Sequence, residues 1–201
     1  MILTNASAKA IRYACETYHY SGSVPSVQYG YNFYNAAGEW CGVVCFGGGA
    51  NNHIGCPYGL YPGEILELVR VALNGKQQTT SRCVAMALRE LHRQNPLVQL
   101  VISYADADQD HVGTIYQATN WMYEGLKNPG GSGPFVIHGK KVHPRTVGSW
   151  GYKQSLPWIK EHVDPNAEWL KTKGKHKYLF CFDRKLKKKL EMISQEYPKK
   201  E

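Results

Sequence analysis

Residues 101–125, VISYADADQDHVGTIYQATNWMYEG, pass from a strand pattern into a helical one. Leu100-Val101-Ile102 is a short apolar, β-branched run of the kind that forms a buried central strand. It gives out at Ser103-Tyr104-Ala105-Asp106, where polar groups gather at the strand's carboxyl end. Asp110 fits an N-cap, which predicts a helix from about His111. On that helix Ile115, Ala118, Met122 and Leu126 fall on one apolar face, with Tyr116, Asn120 and Tyr123 as a neighbouring stripe. Two phenols and an amide would then stand beside the carboxyl end of a strand, where open α/β sheets bind ligands. A half-buried helix face filled by Tyr and Asn accounts for the same residues without a ligand.

Upstream, residues 5–17 read as a helix with Ala8, Ile11, Ala14 and Cys15 on one side, broken at His19-Tyr20-Ser21-Gly22. Tyr29 to Tyr34 alternates, Asn35-Ala36-Ala37-Gly38 signals a turn, and Glu39 to Gly47 completes a hairpin. The glycine-rich run 47–55 is not a P-loop, because no Gly-Lys-Ser/Thr ends it. It is either a flexible connection or a place of close backbone approach to a ligand. In the strand Glu64 to Leu73, the two-residue period puts Leu66, Leu68, Arg70 and Ala72 on one face. A cation there calls for a carboxylate or phosphate partner, and Asp106 is the natural one. A helix is expected from Cys83 to Gln94, with Thr80 or Ser81 as its N-cap.

Downstream, residues 127–176 read as an irregular loop and hairpin region, with strands Phe135 to His138 and Lys141 to His143 around Gly139-Lys140. A last strand over Lys177 to Asp183 and a basic helix over Arg184 to Tyr197 close the chain. From Lys171 onward eleven Lys and Arg face four acids, so nearly all of the formal charge of +8 lies in that segment. A solvated tail accounts for it, as does contact with nucleic-acid phosphates through cations interleaved with Tyr178, Phe180 and Phe182. Six cysteines without framework spacing read as reduced thiols. No apolar run approaches the roughly 20 residues of a membrane helix, and the start lacks a signal-peptide pattern. A single domain over 1–201 in the cytoplasm is the expectation.

Ser103-Tyr104-Ala105-Asp106 followed by His111-Val112-Gly113-Thr114-Ile115-Tyr116-Gln117-Ala118-Thr119-Asn120-Trp121 resembles the phage Mom proteins, DNA-modification enzymes acting on adenine. The likeness extends to His19-Tyr20-Ser21 with Pro25, Phe46-Gly47-Gly48-Gly49-Ala50-Asn51, Pro57-Tyr58-Gly59-Leu60 and Glu67-Leu68-Val69-Arg70-Val71-Ala72-Leu73. It implies an α+β fold like that of Gcn5-related N-acetyltransferases, a mixed central sheet flanked by helices, here with a basic C-terminal extension. It implies conversion of adenine N6 in double-stranded DNA to an N6-carbamoylmethyl (acetamido) derivative, which protects phage DNA from restriction in the host cytoplasm. Two other readings stand beside it: acetyl-CoA-dependent acetylation of a protein or small-molecule amine, and DNA binding without catalysis.

The residues the resemblance brings forward for catalysis are Asp106, Tyr116, His19, Arg70 and Tyr123. Asp106 would accept or orient a proton, Tyr116 would donate a hydrogen bond, and Tyr123 is similar to the late tyrosine of acetyltransferases. Ser81, Ser103, Tyr104, Asn120 and Asn51 are expected to bind substrate or cofactor. Lys140, Lys141, Arg145, Arg184, Lys185, Lys187 and Lys188 are expected on DNA. Acetyl-CoA follows from fold analogy alone, since the run 75–82 lacks the pyrophosphate-binding glycines. Iron is associated with the family, and His19, Asp106 and His111 have the residue types of a two-His-one-carboxylate site. The oligomeric state stays open, a homodimer included.

Overall fold

In the computed structural model, which describes residues 1–49 and 53–199, the chain runs through ten strands and six helices. These are β1 (Ile2–Asn5), α1 (Ala8–Tyr18), β2 (Tyr29–Tyr34), β3 (Trp40–Gly47), β4 (Ile65–Leu73), α2 (Thr80–Gln94), β5 (Leu100–Asp106) and α3 (Thr114–Gln117). There follow β6 (Met122–Lys127), β7 (Ser132–Ile137), β8 (Lys140–Val142), α4 (Pro144–Ser149), α5 (Leu156–His162), β9 (Glu168–Lys171), β10 (Lys175–Cys181) and α6 (Arg184–Glu191). The fold class is the expected one: α+β, with a large mixed sheet and flanking helices. The main sheet has the order β1-β2-β3-β4-β5-β10-β6, antiparallel from β1 to β4 and parallel between β4 and β5.

Two compact units emerge. The first gathers Met1–Tyr104, Gly113–Gly125 and the chain from Lys177; the second gathers Ala105–Val112 and Leu126–His176. In the first, Ser7 Oγ caps α1 by accepting from the Ala10 amide at 3.2 Å, and Ile11, Ala14 and Cys15 pack on Val43, Cys45 and Ala72. The helix expected from residue 5 therefore starts later, because Ile2–Asn5 pairs with β2. On the opposite face α2 buries Cys83, Val84, Ala87, Leu88 and Leu91, a helical stripe. Full burial of each leucine stabilises by about 1.5–3 kcal/mol. Its N-cap is Thr79, whose hydroxyl accepts from the Arg82 amide at 3.2 Å; Thr80 and Ser81 lie inside the first turn.

One strand departs from its expected facing. Cys45 pairs with Arg70 and the next residue, Phe46, with Leu68, so Val69 is an extra residue in β4. This bulge reverses the alternation. Arg70 and Ala72 share the α1 side, while Leu66 and Leu68 turn to the other.

The stretch 111–127 corrects the helix predicted there. Asp110 is no N-cap; it closes the turn Ala107–Gln109 in left-handed backbone, φ 53°. The helix is α3 alone, four residues long. It ends in a Schellman motif, with Trp121 N–H bonded to Tyr116 C=O and Asn120 N–H to Gln117 C=O, and Asn120 at φ 58° in the left-handed C′ place. Met122–Lys127 is then a strand, so Tyr116, Asn120 and Tyr123 form no helical stripe. Gly113 starts the turn at φ 76°, and a Cβ there would lie 2.3 Å from the Tyr178 ring.

In the second unit the segment expected to be irregular holds a three-stranded sheet, order β8-β7-β9, with α4 and α5. Phe135, Ile137, Val147, Ile159 and Ala167 form its core. The hairpin turn is His138-Gly139, one residue earlier than expected, and β8 begins at Lys140. No helix among the described residues is long and apolar enough to cross a membrane.

Candidate functional site

The central parallel pair of the first unit is short. β4 and β5 are paired at Ile65–Leu100, Leu66–Val101 and Glu67–Ile102, and beyond these residues they part. Ser103 takes over where the ladder stops. Its buried hydroxyl lies 3.0 Å from Leu68 C=O and 2.8 Å from the Tyr116 hydroxyl. The serine has one proton to give, and the Leu68 carbonyl and the Tyr116 phenol oxygen both lie within reach to accept it. Burial above all pushes the Tyr116 phenol up to about 12, which keeps it protonated and a donor at neutral pH. Tyr116 packs on Trp121 and Tyr178, ring centroids 5.1 Å away in each case. Tyr104, next on β5, is also pushed up to about 12, by burial first and then by Glu67 and Glu124.

A second group lies on the α1 side. Past the end of α1, the Ser21 amide donates to His19 Nδ1 at 3.2 Å, and Ser21 Oγ lies 2.9 Å from the same nitrogen. Ser21 Oγ is 3.2 Å from Ser23 Oγ. Arg70 then donates from Nη2 to Ser23 Oγ at 2.9 Å, from Nε to Ser23 C=O at 3.3 Å and from Nη1 to Val69 C=O at 2.7 Å. A continuous polar chain thus joins His19 to Arg70, two residues brought forward from sequence. An amide N–H can only donate, so the neutral His19 ring carries its proton on Nε2. The guanidinium bonds to neutral acceptors in place of the carboxylate expected for it. The linking serines were missed as site residues; Ser21 stood only as part of a motif, and nothing in sequence ties Ser23 to a residue 47 positions away.

A third group carries charge out of water. Glu124 on β6 accepts from the Tyr58 phenol at 2.5 Å and pairs with Lys177 of β10 at 3.1 Å; the two charged side chains are 16% and 12% exposed. Lys177 Nζ also sits 5.0 Å from the centre of the Tyr58 ring. Sequence reading named none of these three as site residues; Tyr58 stood only within the motif Pro57-Tyr58-Gly59-Leu60. The short spacing from Tyr123 to Glu124 was the one available signal.

The remaining expected site residues scatter. Tyr123 is buried on β6, its ring 5.1 Å from Tyr178, and burial raises its pKa. Ser81 lies in the first turn of α2, its Oγ 3.5 Å from Thr79 Oγ1, and Asn120 serves the Schellman turn. Asn51 lies outside the described residues. At Gly49 a Cβ would meet Ile54 Cδ1 at 2.9 Å and Glu67 Oε2 at 3.0 Å, so the close approach there is to the protein's own side chains.

Asp106 belongs to the second unit, where Oδ1 accepts from the Asp108 amide at 3.0 Å as an N-cap. Asp108 accepts in turn from Thr172 Oγ1 at 2.5 Å and Lys173 N at 2.9 Å, fastening the acidic loop to residues 172–174. Those bonds, the Lys173 amide first, hold the Asp108 carboxyl below the usual range. Among the described residues no three His, Cys, Asp or Glu side chains gather as metal ligands. His19, Asp106 and His111 form no such group. Lys140, Lys141 and Arg145 are exposed on β8 and α4, and Arg184, Lys185, Lys187 and Lys188 on α6.

The family profile described as the Mom protein family matches residues 1–199. The chain belongs to the Mom protein family. Membership supports a DNA-modifying or transferase role for this Mom-family chain. Among solved structures it is similar to a proposed acetyltransferase from Acinetobacter baylyi ADP1, 11% identical, TM-score 0.47, with 100% of this chain and 97% of that one covered. It is also similar to TofI, solved in a ternary complex with an inhibitor and MTA, 12% identical, TM-score 0.37, covering 77% and 98%. No curated protein matches.

Proposed function

We propose that this chain is a transferase that converts adenine N6 in double-stranded DNA to the N6-carbamoylmethyl derivative, protecting phage DNA from restriction in the host cytoplasm. The observation that carries the reading is the Mom-family match across residues 1–199.

The chemistry sets what the residues must do. The lone pair on N6 is conjugated with the ring, so the amine is a weak nucleophile and must be positioned closely and relieved of a proton. A base inside a duplex is out of reach and has to be taken from the stack. We assign it to the end of the β4–β5 ladder in the first unit, beside Ser103 and the protonated Tyr116 phenol. Arg70, a cation on neutral acceptors, suits an anionic group of the nucleotide or of the donor. His19 with its proton on Nε2 is a hydrogen-bond donor at that nitrogen, so it orients and does not abstract. For the proton that leaves N6 we assign a carboxylate, Asp106 at the end of β5.

For α6, Asp183 caps the helix and Leu190 is buried, while Arg184 and Lys185 stand in its first turn. Cations there oppose the helix dipole. Their placement supports contact with phosphates over service to helix stability.

The test is mass spectrometry of nucleosides from the DNA of cells that express the chain. A deoxyadenosine heavier by one carbamoylmethyl group is the expected result. Only unmodified deoxyadenosine, with the protein present and folded, overturns the proposal.

A further inference from the structure

In the second unit, Ala105–Val112 with Leu126–His176, nine Lys or Arg face six acids. Lys173 is committed internally, to Asp110 at 2.8 Å. Lys140, Lys141, Arg145, Lys171 and Lys175 are exposed, and none has an ion-pair partner among the described residues. His143 shows their crowding, since burial and then Arg145 and Lys175 push its pKa down. Exposed cations gathered in one small unit suit a polyanion, although the Asp108 carboxylate is close enough to Lys141 to feel its charge.

The hairpin among them is rigid and narrow. Ile137 pairs with Lys140 across the two-residue turn His138-Gly139, whose φ angles of 48° and 72° make it a type I′ turn. The tip is fastened by His138 N–H, which donates to Asp164 Oδ2 at 2.6 Å, and Asp164 is buried. Phe135 and Ile137 point to the unit's core. Val136 points the other way, opposite Lys141 on β8 and opposite Glu168 on β9. The outer face therefore carries a cation, a pair of methyls and a carboxylate side by side across three strands. With strands about 4.8 Å apart, that row is about 10 Å wide. A DNA major groove is about 12 Å wide and admits a β-ribbon; the minor groove, at about 6 Å, does not. A carboxylate in the row would repel phosphate, yet it can accept from the cytosine amine. The lysine suits guanine O6 and N7, and valine the thymine methyl.

We propose that the outer face of the β8-β7-β9 sheet enters the major groove of duplex DNA and meets base edges through Lys141, Val136 and Glu168, with Lys175 on a flanking phosphate. This rests on the reading of duplex DNA as the substrate. It adds to the catalytic unit a separate element that chooses where on the duplex the protein stands.

The full chain is titrated with a mixed-sequence duplex and with the same duplex in which every cytosine carries a glucosylated hydroxymethyl group, filling the major groove. The wild type should bind the filled duplex at least about tenfold more weakly, the size of one base-edge contact. The variant Lys141→Gln/Glu168→Gln, checked by thermal melting, should bind the plain duplex more weakly and prefer it by less than about threefold. Equal binding of both duplexes by the wild type overturns the inference, as does a folded variant that keeps the full preference. A wild type that binds no duplex at all overturns the DNA-substrate reading and this inference with it. Binding without groove preference removes this inference alone.

Discussion

Two polar networks of the first unit handle charge in opposite ways. Around Glu124, a carboxylate and an ammonium are both withdrawn from water, and each is answered by the other and by Tyr58. Around Arg70, a single cation at a half-exposed position is met by serine oxygens and a main-chain carbonyl, with no carboxylate. The first network is closed; its charges cancel and hold a turn and two strands together. The second holds a loop in place and leaves a positive charge uncancelled. The difference separates polar residues that serve the fold from those available to a ligand. On the proposed function it favours the His19–Arg70 chain as the one that meets a ligand.

The sharpest break of this comparison is Lys177→Met. It strands the Glu124 carboxylate, and loss of one partner of a buried pair costs about 3–5 kcal/mol. Denaturant unfolding should show the midpoint falling steeply, and Lys177→Met/Glu124→Gln should recover much of the loss because no buried charge remains. A single variant as stable as the wild type would mean that the pair is hydrated and the network no more than a surface contact.

Arg70→Ala should behave in the opposite way. Its acceptors are neutral and partly exposed, so stability should fall by only about 1 kcal/mol. The modified nucleoside should nevertheless disappear, because the uncancelled charge goes with the guanidinium. Arg70→Lys keeps the charge but not the fork of donors to Ser23, and should restore product only in part. A folded Arg70→Ala chain that yields normal product would reduce Arg70 to a tether for the loop after α1.

Much of the frame was legible in the residues themselves. β2, β3 and β5 announce themselves by alternation or by a short apolar run, and α2 by its stripe from Cys83 to Leu91. The helix assigned to 111–127 failed because Ile115, Ala118, Met122 and Leu126 fit a helical period by coincidence of spacing. The competing signals were Gly113 and Asn120, both in left-handed backbone in the structure, which punctuate the stretch on either side of a single helical turn. The facing of Arg70 followed from a bulge, which alternation cannot report. The serine chain and the Glu124 cluster are contacts between residues far apart in sequence. No local period encodes them.

Asp106 is the residue on which fold and chemistry make the closest rival predictions, and the expected stability effect is the smallest. In the structure its Oδ1 caps the turn at Ala107–Gln109 by accepting from the Asp108 amide. Asparagine keeps that oxygen and is as good a cap as aspartate. Asp106→Asn should therefore melt within about 0.5 kcal/mol of the wild type. What it loses is the negative charge and the ability to take up a proton. If Asp106 accepts the N6 proton, DNA from cells expressing Asp106→Asn should contain no modified deoxyadenosine, while Asp106→Glu, with a displaced carboxylate, should leave a trace. A cap-only role predicts the reverse order: full product with asparagine and a loss with glutamate, whose longer side chain caps poorly. Normal product from Asp106→Asn would thus return this carboxylate to the fold and send the search for the proton acceptor back to the first unit, where Glu67 lies beside Tyr104 and Gly49.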